Sequence, residues 1–403
     1  LRKSTIRVAA AVFALGLFAA ACGSSDSDST TEETSAEVVV DDTTAVTEDT
    51  TTEAPAVDEV AAAKEAAAQA VTIPENIALT VAASATPPTG KKVAWISCEL
   101  PSCPEVGEDW PTIAKLLGWE LKVINVKSFE PAPGIQQALD WGANYIAISG
   151  SPIALYQAQF DAGIAKGVKF TSAYTTDAPQ GVDGGIEGLL TTVGDASYVE
   201  MAMKSFAPWI IADSNAEAKV VMVNIRDFPV LVAAENALKA NLAAGCAKCT
   251  FDVIPVTIED LGGGKVPQAV ASYLQENPET NYVQFAFGGL PTGVSAALKT
   301  AGITNVKLVG GDFSAPNLQE VVDGTNSAWT SNPKAEASWI MAHAMVLDSL
   351  GDTYTEERTG AALQTFIVDT PEAAKAILDG GGLQNWKGPK TQADQFKALW
   401  NIK

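Results

Sequence analysis

The sequence predicts an α/β protein built from two doubly wound parallel-sheet lobes joined by a hinge. Two observations carry this. Near-continuous apolar strand runs alternate with helices that stop at glycine, the pattern of a parallel sheet covered on both faces. The alternation then restarts about halfway along. A glycine-rich stretch, "DAPQGVDGGIEG", separates the two halves.

The elements follow in order. "KKVAWIS" reads as a strand and "WPTIAKLLGW" as a helix stopped at Gly118. "LKVINV" is the second strand, and "PGIQQALDWG" a helix ending at Gly142. "YIAIS" is the third strand, "ALYQAQFDAGIAKG" a helix ending at Gly167, and "VKFTSAY" the fourth strand. In the second half the strands are "KVVMVNI", "FDVIPV", "YVQFAF" and "VKLVGGD". The helices are "VLVAAENALKANLAAG", "VPQAVASYLQENP", "GVSAALKTAG" and "PNLQEVVDG".

A chain of 403 residues suits two lobes plus tails. The formal net charge of −22 repels phosphate backbones and anionic headgroups, which argues against nucleic-acid partners. The single histidine, His343, lies in the apolar run "WIMAHAMVLDSL" and reads as structural. "LGGGK" lacks the spacing of a phosphate-binding loop. With no nucleophile elbow, histidine base or metal cluster, neither an enzyme nor a cofactor is expected.

Ahead of the lobes, Arg2, Lys3 and Arg7 precede an apolar run from Val8 to Ala21, too short to span a bilayer as a stable helix. Residues 1–21 read as a secretory signal. Ala19, Ala20 and Ala21 lead into Cys22, Gly23 and Ser24. This resembles a bacterial lipobox, with Ala19 where leucine is usual, and implies a lipid on Cys22. Residues 23–63 hold twelve acidic residues and no basic one, so residues 22–89 read as a disordered linker. "AAAKEAAAQA" is a short helix candidate within it.

Setting Cys22 apart leaves Cys98, Cys103, Cys246 and Cys249. Four cysteines allow three pairings in an oxidising compartment. The local pairs are favoured because they fall on different lobes, where a cross-lobe bridge would lock the hinge.

Ligands of open α/β sheets bind beyond the carboxyl ends of the strands. In the first lobe these ends are residues 99–110, 149–151 and 174–177. In the second they are residues 224–228, 286–289 and 312–314, and "SAWTSNP" adds Trp329 and Asn332. The candidate ligand contacts are Ser151, Tyr174, Asp177, Arg226, Phe287, Asp312, Trp329 and Asn332. Each has a plain alternative: a helix cap for Asp312, an ion pair for Arg226, core packing for Phe287 and Trp329, and a backbone bond for Asp177. Trp95 reads as core, and Trp110 as helix-start packing.

Residues 91–369 resemble the ribose-type periplasmic-binding-protein family, the type I solute receptors of bacterial ABC importers. "DWGANYIAISGSP", "TTVGDASYVEMAM", "SAALKTAGI" and "KLVGGDFS" carry the resemblance by their order along the chain. "LQTFIVDTPEAAKAI" is similar to the late strand returning to the second lobe. "DQFKALWNIK" resembles C-terminal extensions of actinobacterial members. The resemblance implies lobe 1 from residues 90–178 and 332–353, lobe 2 from 179–331 and 354–375, and an extension over 376–403.

It further implies a lipid-anchored monomer outside the cell membrane, passing a sugar or polyol to a permease. A sensor signalling to a membrane kinase and a receptor for an apolar or aromatic solute are the alternatives. Asp312 matches the family's carboxylate after the "VG" strand. Arg226 falls in the loop of a ligand-binding arginine. Phe287 stands where asparagine is usual and Ser331 where glutamine is usual. The Asp-Arg pair after strand three is replaced around "SGSP".

Overall fold

The computed structural model describes residues 58–100, 102–353, 362–380 and 386–403. Residues 1–57, with the segment read as a secretory signal, Cys22 and the first part of the expected linker, lie outside these residues.

A helix, α1 (Glu59–Ala70), precedes the first sheet. The first lobe then runs β1 (Lys92–Ser97), α2 (Ser102–Val106), α3 (Trp110–Leu117), β2 (Glu120–Asn125), α4 (Ala132–Trp141), β3 (Tyr145–Ser149), α5 (Gln157–Ala165), β4 (Lys169–Ala173) and β5 (Leu189–Val193). Its strands are all parallel, in the order β2-β1-β3-β4-β5. Alternate residues feed opposite faces, as the period-two pleat requires. Val93 and Trp95 enter one apolar cluster, Ala94 and Ile96 the other.

The second lobe runs α6 (Ala196–Asp213), β6 (Lys219–Asn224), α7 (Pro229–Gly245), β7 (Thr250–Pro255), α8 (Ile258–Gly262), α9 (Val266–Glu276), β8 (Tyr282–Phe285), α10 (Val294–Thr300), β9 (Lys307–Gly310), α11 (Ala315–Val322) and β10 (Ala328–Thr330). The chain returns to the first lobe as α12 (Lys334–Leu350), then to the second as β11 (Ile367–Val368) and α13 (Pro371–Asp379), and finishes with α14 (Gln392–Leu399). The second sheet has the order β11-β10-β9-β8-β6-β7. Only β11 is antiparallel, on β10. The expected two-lobed α/β architecture is therefore present.

Two boundaries differ from the sequence reading. Residues 179–193 belong with the first sheet, because β5 pairs with β4. The glycine-rich stretch is a loop inside the first lobe, closed by a bridge between Pro179 and Ile186. The crossing lies just after it, at Gly194. Asp195 caps α6 there, accepting from the Ser197 N–H at 3.0 Å. The disordered-linker reading also ends too late. From residue 58 the chain is packed, with Ala63 buried against α6 and Ile77, Leu79 and Ala83 buried in the first lobe. Composition concealed this because the helix that docks first, EVAAAKEAAAQA, is mostly alanine.

Within the extension, Phe396 and Trp400 stack on Trp339 of α12, at 5.4 and 5.6 Å between ring centroids. Trp400 donates its indole N–H to His343 Nδ1 at 2.9 Å, so His343 is a core residue. Both local disulfides, Cys98–Cys103 and Cys246–Cys249, are formed, each inside one lobe. Among the described residues no helix is long and apolar enough to cross a membrane.

Candidate functional site

The carboxyl ends of the two sheets meet around Lys334, the first residue of α12. Its ammonium lies 2.7 Å from Glu105 Oε2 and 2.8 Å from Asp312 Oδ1. Glu105 belongs to α2 of the first lobe, which the Cys98–Cys103 bridge ties to the end of β1. Asp312 follows β9 of the second. Only 6 % of the Lys334 side chain is exposed, against 14 % for Glu105 and 19 % for Asp312. A charge is rarely buried so deeply without a partner. Here an ion pair joins the lobes.

Burial pushes the Asp312 carboxyl above the usual carboxylate range, even with Lys334 beside it. Burial works to lower the Lys334 pKa. The Asp312 and Glu105 carboxylates more than reverse this and leave it raised.

The hinge-proximal wall is polar too. Tyr174, after β4, donates its phenol to Asn332 Oδ1 at 2.8 Å. Tyr198, in the first turn of α6, donates to the Ser331 carbonyl at 3.1 Å. Burial raises both phenols' pKa. Tyr174 and Asp312 have φ of 58° and 54°, a left-handed conformation uncommon for side chains of their size. The Tyr174 ring passes so close to Gly194 that a Cβ there would collide with it. On the outer side, Phe129 after β2 stacks on Phe228 after β6, with centroids 5.5 Å apart and planes at 23°. That contact also joins the lobes.

Three of the eight candidate residues therefore converge: Tyr174, Asp312 and Asn332. The other five are held elsewhere. Ser151 is fully buried and donates to the Ser128 carbonyl at 2.7 Å. Asp177 accepts from the Ile153 N–H at 2.9 Å, capping a short 3₁₀ turn. Arg226 forms a fork on Glu235, at 3.0 Å from Nε and 2.6 Å from Nη2, and Asn224 donates to the same carboxylate at 2.9 Å. Phe287 is half-buried against the second-lobe core. Trp329 requires a correction. It is fully buried inside β10 and stacked on Phe285 at 6.3 Å, because its ring fills the space over Gly310, where any Cβ would collide with it. Trp110 is likewise core, tilted against Trp95.

Sequence reasoning passed over Lys334 and Phe129; Glu105 and Phe228 fall inside the strand-end stretches 99–110 and 224–228 but were not singled out. For Lys334 a signal existed. "PKAEASWIMAHAM" sets two charges, Lys334 and Glu336, in the first turn of a helix that is buried from Lys334 to Leu347. Glu336 is the second, fully buried beneath the extension, and burial pushes its carboxyl up to about 8. Among the described residues no cluster of three His, Cys, Asp or Glu side chains is arranged to hold a metal ion. A surface hollow of about 660 Å³ between α6 and α7, lined by Glu200, Lys204, Asn236 and Asn241, lies away from the strand ends. It brings together neither the convergent polar groups nor the two lobes.

No family model matches the sequence, and no curated protein matches it. Solved structures do. An ABC transporter solute-binding protein from Mycobacterium smegmatis with bound glycerol is 18% identical, with a TM-score of 0.59 over 72% of this chain and 96% of that one. A carbohydrate transporter from Acidothermus cellulolyticus in complex with myo-inositol is 17% identical, with a TM-score of 0.60 over 75% and 100%. The fructose-binding periplasmic domain of a hybrid two-component system is 14% identical, with a TM-score of 0.60 over 77% and 99%. ABC transporter solute-binding proteins recur among the matches. At these identities the likeness shows the fold alone, that of the type I periplasmic binding proteins.

Proposed function

We propose that the chain is a membrane-anchored extracytoplasmic solute receptor. It closes its two lobes on a sugar or related polyol and delivers it to an ABC-type permease. The observation that carries this reading is the buried meeting of Glu105, Lys334 and Asp312 at the ends of both sheets, beside Tyr174 and Asn332. Two carboxylates accept, an ammonium donates, and an amide and a phenol do both. Vicinal hydroxyls need such a mixed set. The structural neighbours that bind glycerol and myo-inositol support the same class. With Trp329 in the core, an aromatic solute finds less support than a polyol. A micromolar complex needs about −8 kcal/mol, within reach of several charge-assisted hydrogen bonds in a closed cleft.

Native mass spectrometry of the purified chain tests this. The expected result is a bound neutral mass of sugar or polyol size. Asp312→Asn should then weaken that solute at least tenfold. A folded chain that carries nothing, and gains no thermal stability from a panel of sugars, polyols and small aromatics, would overturn it. The anchor is proposed at Cys22, and Cys22→Ala should abolish a lipid mass on the mature chain.

A second reading has one observation in its favour. The fructose-binding periplasmic domain of a hybrid two-component system shares the fold, so the same closure could signal to a membrane kinase. Cross-linking in membranes separates the two by whether a permease or a kinase is captured.

A further inference from the structure

We propose that residues 59–86 form a strap across the hinge, and that its helix α1 leaves the second lobe when the lobes rotate apart. This rests on the lobe motion of the proposed receptor but not on any solute. The strap is fixed at both ends, one on each lobe. On the second lobe, α1 lies along α6. Ala63 is buried there, Val60, Ala67 and Ala70 pack beside it, and Glu59 accepts from the Ala247 N–H at 3.2 Å. On the first lobe, Ile77, Leu79 and Ala83 enter the cluster that contains Trp339, Phe396 and Trp400. Hydrogen bonds to α14 and the residues just beyond it reinforce this end. Ile77 N–H donates to Gln395 at 3.0 Å, Ala83 N–H to the Leu399 carbonyl at 2.8 Å, and Thr86 Oγ1 to the Asn401 carbonyl at 2.9 Å.

Between the anchors lie only residues 71–76, with Val71 and Ile73 exposed. The Asn76 carbonyl accepts from Gln364 at 2.7 Å, on the chain that returns from α12 to β11. The strap thus runs beside one of the hinge crossings. A rotation of one lobe against the other moves its two anchors relative to each other, and one end must yield.

The weaker end is α1. Ala63 is its one buried residue, and a surface hollow of about 340 Å³ remains between α1 and α6, lined by Lys64, Ala67, Ala68, Trp209 and Asp369. Twelve residues are too few for a stable isolated helix in water. Once undocked, α1 frays, and the Trp209 face of α6 is uncovered only in the open state.

The test sets the lobe angle by mutation. Lys334→Met removes a cross-lobe ion pair and opens the lobes. Phe129→Cys with Phe228→Cys, joined by a short bis-maleimide, holds them shut. Spin labels on each lobe read the angle, and hydrogen exchange reads the strap. Amides of residues 59–70 should exchange at least tenfold faster in the opened variant, with residues 77–86 unchanged. Equal exchange at 59–70 while the interlobe distance differs overturns the proposal. So does an interlobe distance that does not change, since the strap then has nothing to follow. A second arm tethers α1 to α6 through Ala67→Cys and Ala212→Cys on the Lys334→Met background. The interlobe distribution should narrow, and an unchanged distribution also counts against the strap.

Discussion

Replacing Lys334 by methionine keeps most of the side chain's length and removes its charge. Two carboxylates, Glu105 and Asp312, then lose the ammonium that sat within 2.8 Å of both, whether or not the lobes part. Breaking a buried ion pair from one side costs about 3–5 kcal/mol. Both carboxylates keep some access to water, so we expect the low end, about 3 kcal/mol at neutral pH. The sign with pH follows from Asp312. Its folded pKa is already raised above the unfolded value by burial. Its protonated form is therefore favoured by folding, and the stability this adds is lost as pH rises through the folded pKa. Losing Lys334 raises that pKa further, so the penalty must shrink on acidification toward pH 4. Urea denaturation at pH 7.5 and pH 4.5 measures both. A loss under about 1 kcal/mol at neutral pH, or one of equal size at both pH values, would refute the buried-pair reasoning.

Other substitutions give separate checks. Glu336 has a folded pKa raised from 4.5 to about 8, so its contribution is full below pH 4.5 and is lost as pH rises through 8. Glu336→Gln should flatten that decline, gaining about 2–4 kcal/mol over the native chain above pH 8, and parallel denaturation profiles would count against it. Arg226→Ala should leave affinity for the co-purified solute within twofold, since its guanidinium is engaged by Glu235, and a tenfold loss would restore it to the site. Gly310→Ala should destabilise by about 1–3 kcal/mol, because the new methyl group meets the Trp329 ring; an unchanged denaturation midpoint would show that the ring is free to move.

Strand runs such as "YIAIS" and "KVVMVNI" announced a buried parallel sheet because both faces of each strand are apolar. The glycine stops at Gly118, Gly142 and Gly302 bear it out, each with left-handed φ. The candidates that converge were legible where the strand-end rule coincided with a polar side chain, as at Tyr174, Asp312 and Asn332. The rule failed at Trp329, which lies within a strand of three residues, so that its middle was taken for an end. Ser151 and Asp177 are at strand ends, but they serve the loops that hold those ends in place. Lys334 escaped because its partners come from α2 and from the far lobe. Nothing in local spacing brings residues 105, 312 and 334 together. The same holds for the strap, whose alanines look like linker until α6 and α14 are present to receive them.

Tyr174 rests its ring on Gly194 at one crossing and gives its phenol to Asn332 at another. The residues proposed to read the solute thus sit at the crossings about which the two lobes are proposed to move. Substitutions that retune specificity will shift the resting angle, and those that stiffen the bend will change which solutes fit. Over evolutionary time, recognition and mechanics in this chain must drift together. Relatives that capture different solutes should therefore differ in how far they gape.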